Sequence, residues 1–315
     1  VGVDFALFRH RLSGTIEYYN KYSVDLLAAI NGSPTQGFGY TTLMTNNGKM
    51  VNRGVEITLS GEIIRQKDFS WNASLLYAFN RNKVKHISVQ PSLWDSRISM
   101  PTSYPMVGKP LYGIYAYKWA GLNENGDPQV YDAENNVTSG PARDYHALVY
   151  CGTTVPIHNA SLTNVLRYKG FEFSAMLILD AGHKLRSSNI PSINMSNGRI
   201  TSTAKGIVDR WTQPGDVTDV PRLLFSNDTE NFNTHRTELY RYSDLFVYDA
   251  SNIRLSNISL AYRVPAHWCK KISLSGARLQ FNVENVATFA FDSKANYDLG
   301  GKVKPNYVWG LYLNF

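Results

Sequence analysis

From residue 305 onward, apolar side chains fall on every second position. Tyr307, Trp309, Leu311, Leu313 and Phe315 alternate with Asn306, Val308, Gly310, Tyr312 and Asn314. Successive side chains of a strand point to opposite faces, so the pattern predicts one oily face and one mixed, polar face. The same alternation recurs at Val3, Phe5 and Leu7, at Leu12, Ile16 and Tyr18, and at Val51, Val55, Ile57, Leu59 and Ile63. It continues through Phe69, Trp71, Ala73, Leu75, Tyr77 and Phe79. Leu162, Leu166 and Tyr168 carry it next, with polar Asn164 interrupting the stripe, followed by Phe171, Phe173, Ala175, Leu177 and Leu179. Ile258, Leu260, Tyr262 and Val264 share one face, and Ala277, Leu279, Phe281 and Val283 another. Ile253 and Leu255 sit on the opposite parity to Ile258, which predicts a β-bulge between them.

These segments make nine strands, or eleven if residues 108–150 add a further hairpin. Short turns are expected at 9–11, 65–68, 169–170 and 265–271. Long loops are expected at about 28–49, 83–158, 183–249 and 290–304. Short links on one rim and long loops on the other are the layout of an outer-membrane barrel. The polar counterparts, Asn52, Glu56, Thr58 and Ser60 against Asn72, Ser74 and Asn80, suit a wet lumen. A soluble sandwich would instead have to bury each aromatic face under a second sheet. The predicted class is therefore an all-β, antiparallel transmembrane β-barrel.

Composition narrows this further. The 315 residues include 18% charged and 13% aromatic side chains, with twenty Tyr. No stretch of eighteen apolar residues exists, so a membrane crossing would have to use closed strands rather than a helix. Many Tyr and Trp with few charges fit aromatic girdles, and they also fit a secreted carbohydrate-binding β protein. The net charge of +7 could point to nucleic acid, but Arg65, Lys67, Lys169, Lys270 and Lys271 lie scattered in turns. Nucleic acid is not an expected partner. Surface charge with contact to anionic headgroups is. Cys151 and Cys269 form neither a disulfide framework nor a metal pattern, and no bridge between them is expected. The seven histidines are dispersed without ligand spacing, and no G-x-S-x-G elbow occurs. Glu56, Glu62, Glu172 and Glu284 read as wall residues of the lumen, so neither an enzyme nor a cofactor is expected.

The segment Asn46-Asn47-Gly48-Lys49-Met50-Val51-Asn52-Arg53-Gly54-Val55-Glu56 resembles the N-x-G-x-M-x-N-x-G-V-E signature of SusC/RagA-type TonB-dependent outer-membrane transporters. Gly113 to Leu122, Tyr168 to Phe171, Arg210 to Asp216 and Asp249 to Leu260 are similar to further stretches of that family. Near the end, Asn296-Tyr297-Asp298-Leu299-Gly300-Gly301 departs from the family's G-x-D-P-E-like stretch. The resemblance implies a barrel of about twenty-two strands, with residues 1–315 as its C-terminal part. A plug and a TonB-engaging segment would lie outside these residues. It also implies a SusD-like surface lipoprotein as partner and pairing of the two-protein complex. Oligosaccharide or peptide substrates and an outer-membrane location in a Gram-negative bacterium follow from it too. A passive porin or adhesin barrel would share every strand argument.

Aromatic residues in the long loops are the candidates for substrate contact: Trp94, Tyr131, Trp211 and Tyr242. Trp309, Leu311, Leu313 and Phe315 are expected to face lipid and to form a terminal barrel-assembly signal.

Overall fold

The computed structural model describes residues 1–31, 35, 37, 42–89, 96–140, 144–195, 204–225, 234–299 and 303–315. Nine strands form one antiparallel sheet in strict chain order. They are β1 (Gly2–Leu7), β2 (Leu12–Asn31), β3 (Thr42–Arg65), β4 (Phe69–His86) and β5 (His158–Tyr168). β6 (Phe171–Ala181), β7 (Asn252–Arg263), β8 (Gly276–Ala290) and β9 (Asn306–Asn314) complete it. The sheet is open: β1 and β9 are its two edges.

Register explains why alternation was such a strong signal. Ile64, Trp71, Leu166, Phe173, Leu260, Phe281 and Trp309 lie directly beside one another in one row across β3 to β9. Leu59, Leu75, Leu162, Leu177 and Leu255 form a second row. A slip of one residue in any pair would turn a whole stripe to the wrong side. Phe171, Leu260, Leu279, Trp309 and Leu311 are all exposed, and no second sheet covers this face among the described residues.

The other face is polar and hydrogen-bonded. Ser60 and Ser74 meet at 3.2 Å across β3 and β4. Glu172 takes ion pairs from Arg167 at 2.7 Å and Arg278 at 3.1 Å, and Asp180 pairs with Arg254 at 3.2 Å.

The expected bulge is present: Leu255 and Asn257 take the successive partners Leu177 and Met176 in β6, leaving Ser256 unpaired, while their partners in β8 are Ala287 and Glu284. A second bulge, not anticipated, falls at Ile63, so Ile64 rather than Ile63 stands beside Trp71. At the 169–170 turn, Lys169 adopts φ +52°. The chain packs so closely there that a Cβ on Gly170 would lie 2.8 Å from the Arg263 carbonyl.

Three expectations are corrected. The loop placed at 28–49 is mostly strand, since β2 runs to Asn31 and β3 begins at Thr42. Polar residues on both faces hid this, although a ladder needs only backbone groups. β4 and β8 likewise extend to His86 and Ala290. The 108–150 hairpin does not join the large sheet: Gly113–Tyr117 pairs with Leu148–Thr153 in a separate two-stranded sheet. Finally, the span 183–249 is not irregular throughout. It holds the short strands Lys184–Arg186 and Val247–Asp249, paired together, and a helix at Thr234–Arg241.

Candidate functional site

All long connections leave the same rim, and the signature segment on β3 anchors the second of them, the loop 87–157. Asn52 accepts a 2.7 Å hydrogen bond from Asn82, and Asn82 in turn accepts from the Leu111 backbone at 2.8 Å. Gly54 is bare because the Tyr19 ring lies over it, and a Cβ there would collide with that ring and with the Phe79 carbonyl.

The loop 87–157 and the loop 182–251 then fold into a single body. Tyr115, Tyr117, Val130, Ala147 and Leu148 from the first bury against Leu239 of the second. Tyr240, Ile193 and Phe246 make an adjoining cluster beneath Trp119. Backbone pairing crosses the junction, with Tyr117 donating to the Tyr242 carbonyl at 2.9 Å. Charge crosses it too. Asp127 receives Arg236 at 2.7 Å and Arg222 at 2.9 Å, and the Arg236 side chain is only 4% exposed. Arg236 also donates to Asn194 and to the Arg222 carbonyl, so its buried donors are satisfied. A third loop joins through Asp298, which accepts from Ser187 Oγ at 2.8 Å and Ser188 Oγ at 2.6 Å.

Within the loop 182–251 lies a cavity of about 500 Å³, lined by Arg186, Ser187, Ile190, Thr237, Arg241 and Tyr242 among others. The Tyr242 ring is flanked by two guanidinium groups, Arg186 at 5.6 Å and Arg241 at 5.9 Å. Arg186 is held by the Tyr115 carbonyl at 2.7 Å and the Arg241 carbonyl at 3.1 Å. Burial pulls its pKa below the usual arginine value, although the nearby Asp244 works the other way. The site thus offers an aromatic face, two cations and hydroxyl groups, a set suited to a polar oligomer carrying hydrogen-bonding groups. Cys151 nearby is no nucleophile at neutral pH, since burial pushes its thiol up to about 11.

Of the three aromatic candidates among the described residues, Tyr242 alone lines this cavity. Tyr131 ends the short strand Pro128–Tyr131 with the Lys118 ammonium 4.7 Å above its ring. Trp211 packs against Gly126, which has φ +74°. Trp94 lies outside the described residues. The structure does not bring Tyr131, Trp211 and Tyr242 into one site. Sequence reasoning missed Arg186 and Arg241, although the run Tyr240-Arg241-Tyr242 was an available signal for the second. Trp309, Leu311, Leu313 and Phe315 are all exposed on β9 and just beyond it.

The sequence matches the family described as TonB dependent receptor-like, beta-barrel over residues 1–286. The chain belongs to that family. It is 26% identical to TonB-dependent receptor P3 of Formosa agariphila, over 99% of this chain and 32% of that protein. It is 24% identical to TonB-dependent receptor SusC of Bacteroides thetaiotaomicron, over 90% of this chain and 27% of that protein. The RagAB peptide transporter superposes on the whole chain with a TM-score of 0.75 at 21% identity, using 34% of its own length. This TonB-dependent receptor barrel segment therefore spans about a third of the length of the curated relatives it matches.

Proposed function

We propose that this chain forms barrel wall and outer loops of a TonB-dependent outer-membrane importer that takes up oligosaccharides or peptides. In this reading the apolar rows face lipid, the Glu172 and Asp180 networks face a water-filled lumen, and the long loops face the exterior. The observation that carries it is the two-faced sheet with every long connection on one rim. The 11 residues of β5, tilted as barrel strands are, rise roughly 25 Å, the height of the apolar band of an outer-membrane barrel. Residues 1–315 would be the C-terminal part of a barrel of about twenty-two strands. A SusD-like lipoprotein would close over the interlocked loops, and energy would arrive through TonB. The RagAB relative, a peptide transporter, favours peptides, while SusC-type kinship leaves oligosaccharides open. Tyr242 would contact substrate, with Arg186 and Arg241 beside it. Trp309, Leu311, Leu313 and Phe315 would face lipid and guide assembly. Deleting Phe315 should then lower the outer-membrane level of the full protein.

The test is uptake by cells carrying the full-length protein, supplied with labelled peptide and oligosaccharide pools. Import that stops when a protonophore collapses the inner-membrane gradient, and falls at least fivefold in Tyr242→Ala, fits the proposal. Import indifferent to the protonophore points instead to a passive porin.

A further inference from the structure

On the apolar side of the sheet, just above the band of greasy rows, the register brings together cations that the sequence keeps far apart. Asn20, Arg53 and Arg81 stand in one row across β2, β3 and β4. Tyr22, Val51 and Lys83 form the next row up. Parity places these residues on the same face as Tyr18, Val55 and Phe79, while Asn52 and Asn82 bond to each other on the opposite face. The loop 87–157 borders this patch. Gly108 and Lys109 exchange backbone hydrogen bonds with Val84 on the free upper edge of β4, both at 2.9 Å. Lys109 then sits 4.9 Å above the Tyr150 ring.

Directly opposed like charges in neighbouring strands destabilise a sheet. Arg53 and Arg81 are such a pair, and both are exposed. Among the described residues, no carboxylate forms an ion pair with Arg53, Arg81 or Lys83. Asn20 holds Arg53 in place instead, accepting from its Nε at 3.1 Å. The position is also telling. One row below, Tyr18, Phe79 and His158 lie level with one another, and the Phe79 and His158 rings meet at a tilt with centroids 5.3 Å apart. An amphipathic ring such as that of Tyr18 sits at headgroup level. One further row, about 7 Å along the strands, puts the guanidinium groups where lipid phosphates lie.

We propose that Arg53, Arg81 and Lys83 form a binding site for the phosphate of an outer-leaflet glycolipid, the lipid A of the surrounding membrane, held against the outside of β2 to β4. Phosphate matches two guanidinium groups bidentately, and its charge relieves the repulsion between them. The acyl chains then run down the exposed face past Tyr18 and Ile16. This inference rests on the proposal that the apolar rows face lipid. A failure of that proposal would show separately, as absence of the full protein from the outer-membrane fraction.

The experiment uses the complete transporter, purified, delipidated and titrated in native mass spectrometry with phosphorylated lipid A or the same lipid dephosphorylated. The expected result is at least tenfold tighter retention of the phosphorylated form, lost in Arg53→Gln/Arg81→Gln and kept in Arg53→Lys/Arg81→Lys. Equal retention of the two lipids, or unchanged preference in the Gln variant, overturns the site. Unchanged lipid preference with loss of a second copy or of a co-purified lipoprotein also overturns it, and marks the surface as a protein interface.

Discussion

The indole nitrogen of Trp71 donates a 3.1 Å hydrogen bond to Oδ1 of Asn164, one strand away on the apolar face. Asn164 interrupts the apolar stripe between Leu162 and Leu166, and a side-chain amide facing hydrocarbon is costly unless it is bonded. Trp71→Phe should therefore destabilise the protein by about 1–2 kcal/mol. In an Asn164→Leu background the same change should be nearly neutral. Urea unfolding of the four proteins of this cycle in lipid vesicles gives the coupling directly, and additive losses would remove the pairing from the account.

Leu75 and Leu76 are neighbours with opposite prospects. Leu75 lies in the leucine row on the apolar face, whereas Leu76 is 53% exposed on the polar one. An arginine at the middle of the lipid-facing side costs about 2–4 kcal/mol, and one in a wet lumen costs far less. Leu75→Arg should lose that amount and Leu76→Arg under about 1 kcal/mol, within the usual range of surface changes. Similar losses for both would mean that the two faces meet similar surroundings.

Removing the carboxylate from the loop junction should loosen the loops and leave the sheet alone. Asp127→Ala strands Arg236, whose side chain is 4% exposed, without its ionic partner. Breaking such a pair from one side costs about 3–5 kcal/mol. Hydrogen exchange should quicken across Pro128–Tyr131 and Thr234–Arg241 while β5 and β6 keep their protection.

Acid should act on the same body through Asp249. Burial alone would raise the pKa of this carboxyl, but hydrogen bonds from Ser251 and the Lys184 ammonium at 3.0 Å outweigh it and hold the group at about 2. The ordinary aspartate value is about 3.9. A group depressed on folding contributes stability above its unfolded value and loses that contribution as pH falls through the folded one. Asp249→Asn should therefore weaken loop protection at pH 7, and the gap from wild type should narrow between about pH 4 and pH 2. With roughly two-fifths of its side chain exposed, solvent screens much of the effect. A constant gap across that range would assign the loss to packing.

The large sheet was legible in the sequence because period-two alternation is imposed locally, residue by residue. Even the bulge at Ser256 was written in the parity switch between Leu255 and Ile258. The upper reaches of β2 and β3 were not, since outside the apolar band neither face has to be greasy. The loop body was illegible for a different reason. Its contacts join residues more than a hundred positions apart, as with Trp119 and Asp244, whose carboxylate accepts the Trp119 backbone N–H at 2.9 Å. Arg53 beside Arg81 was hidden for yet another reason, since only the register of β3 and β4 could reveal it. Aromatic identity alone selected Tyr131 and Trp211, which serve packing and lack the cavity position of Tyr242.

The interleaving of two loops through Tyr117, Tyr242, Asp127 and Arg236 sets a rule for engineering. Grafting either segment alone from a relative would leave half a core without its counterpart. Chimeras meant to exchange cargo preference between such receptors should carry 87–157 and 182–251 across as a matched set.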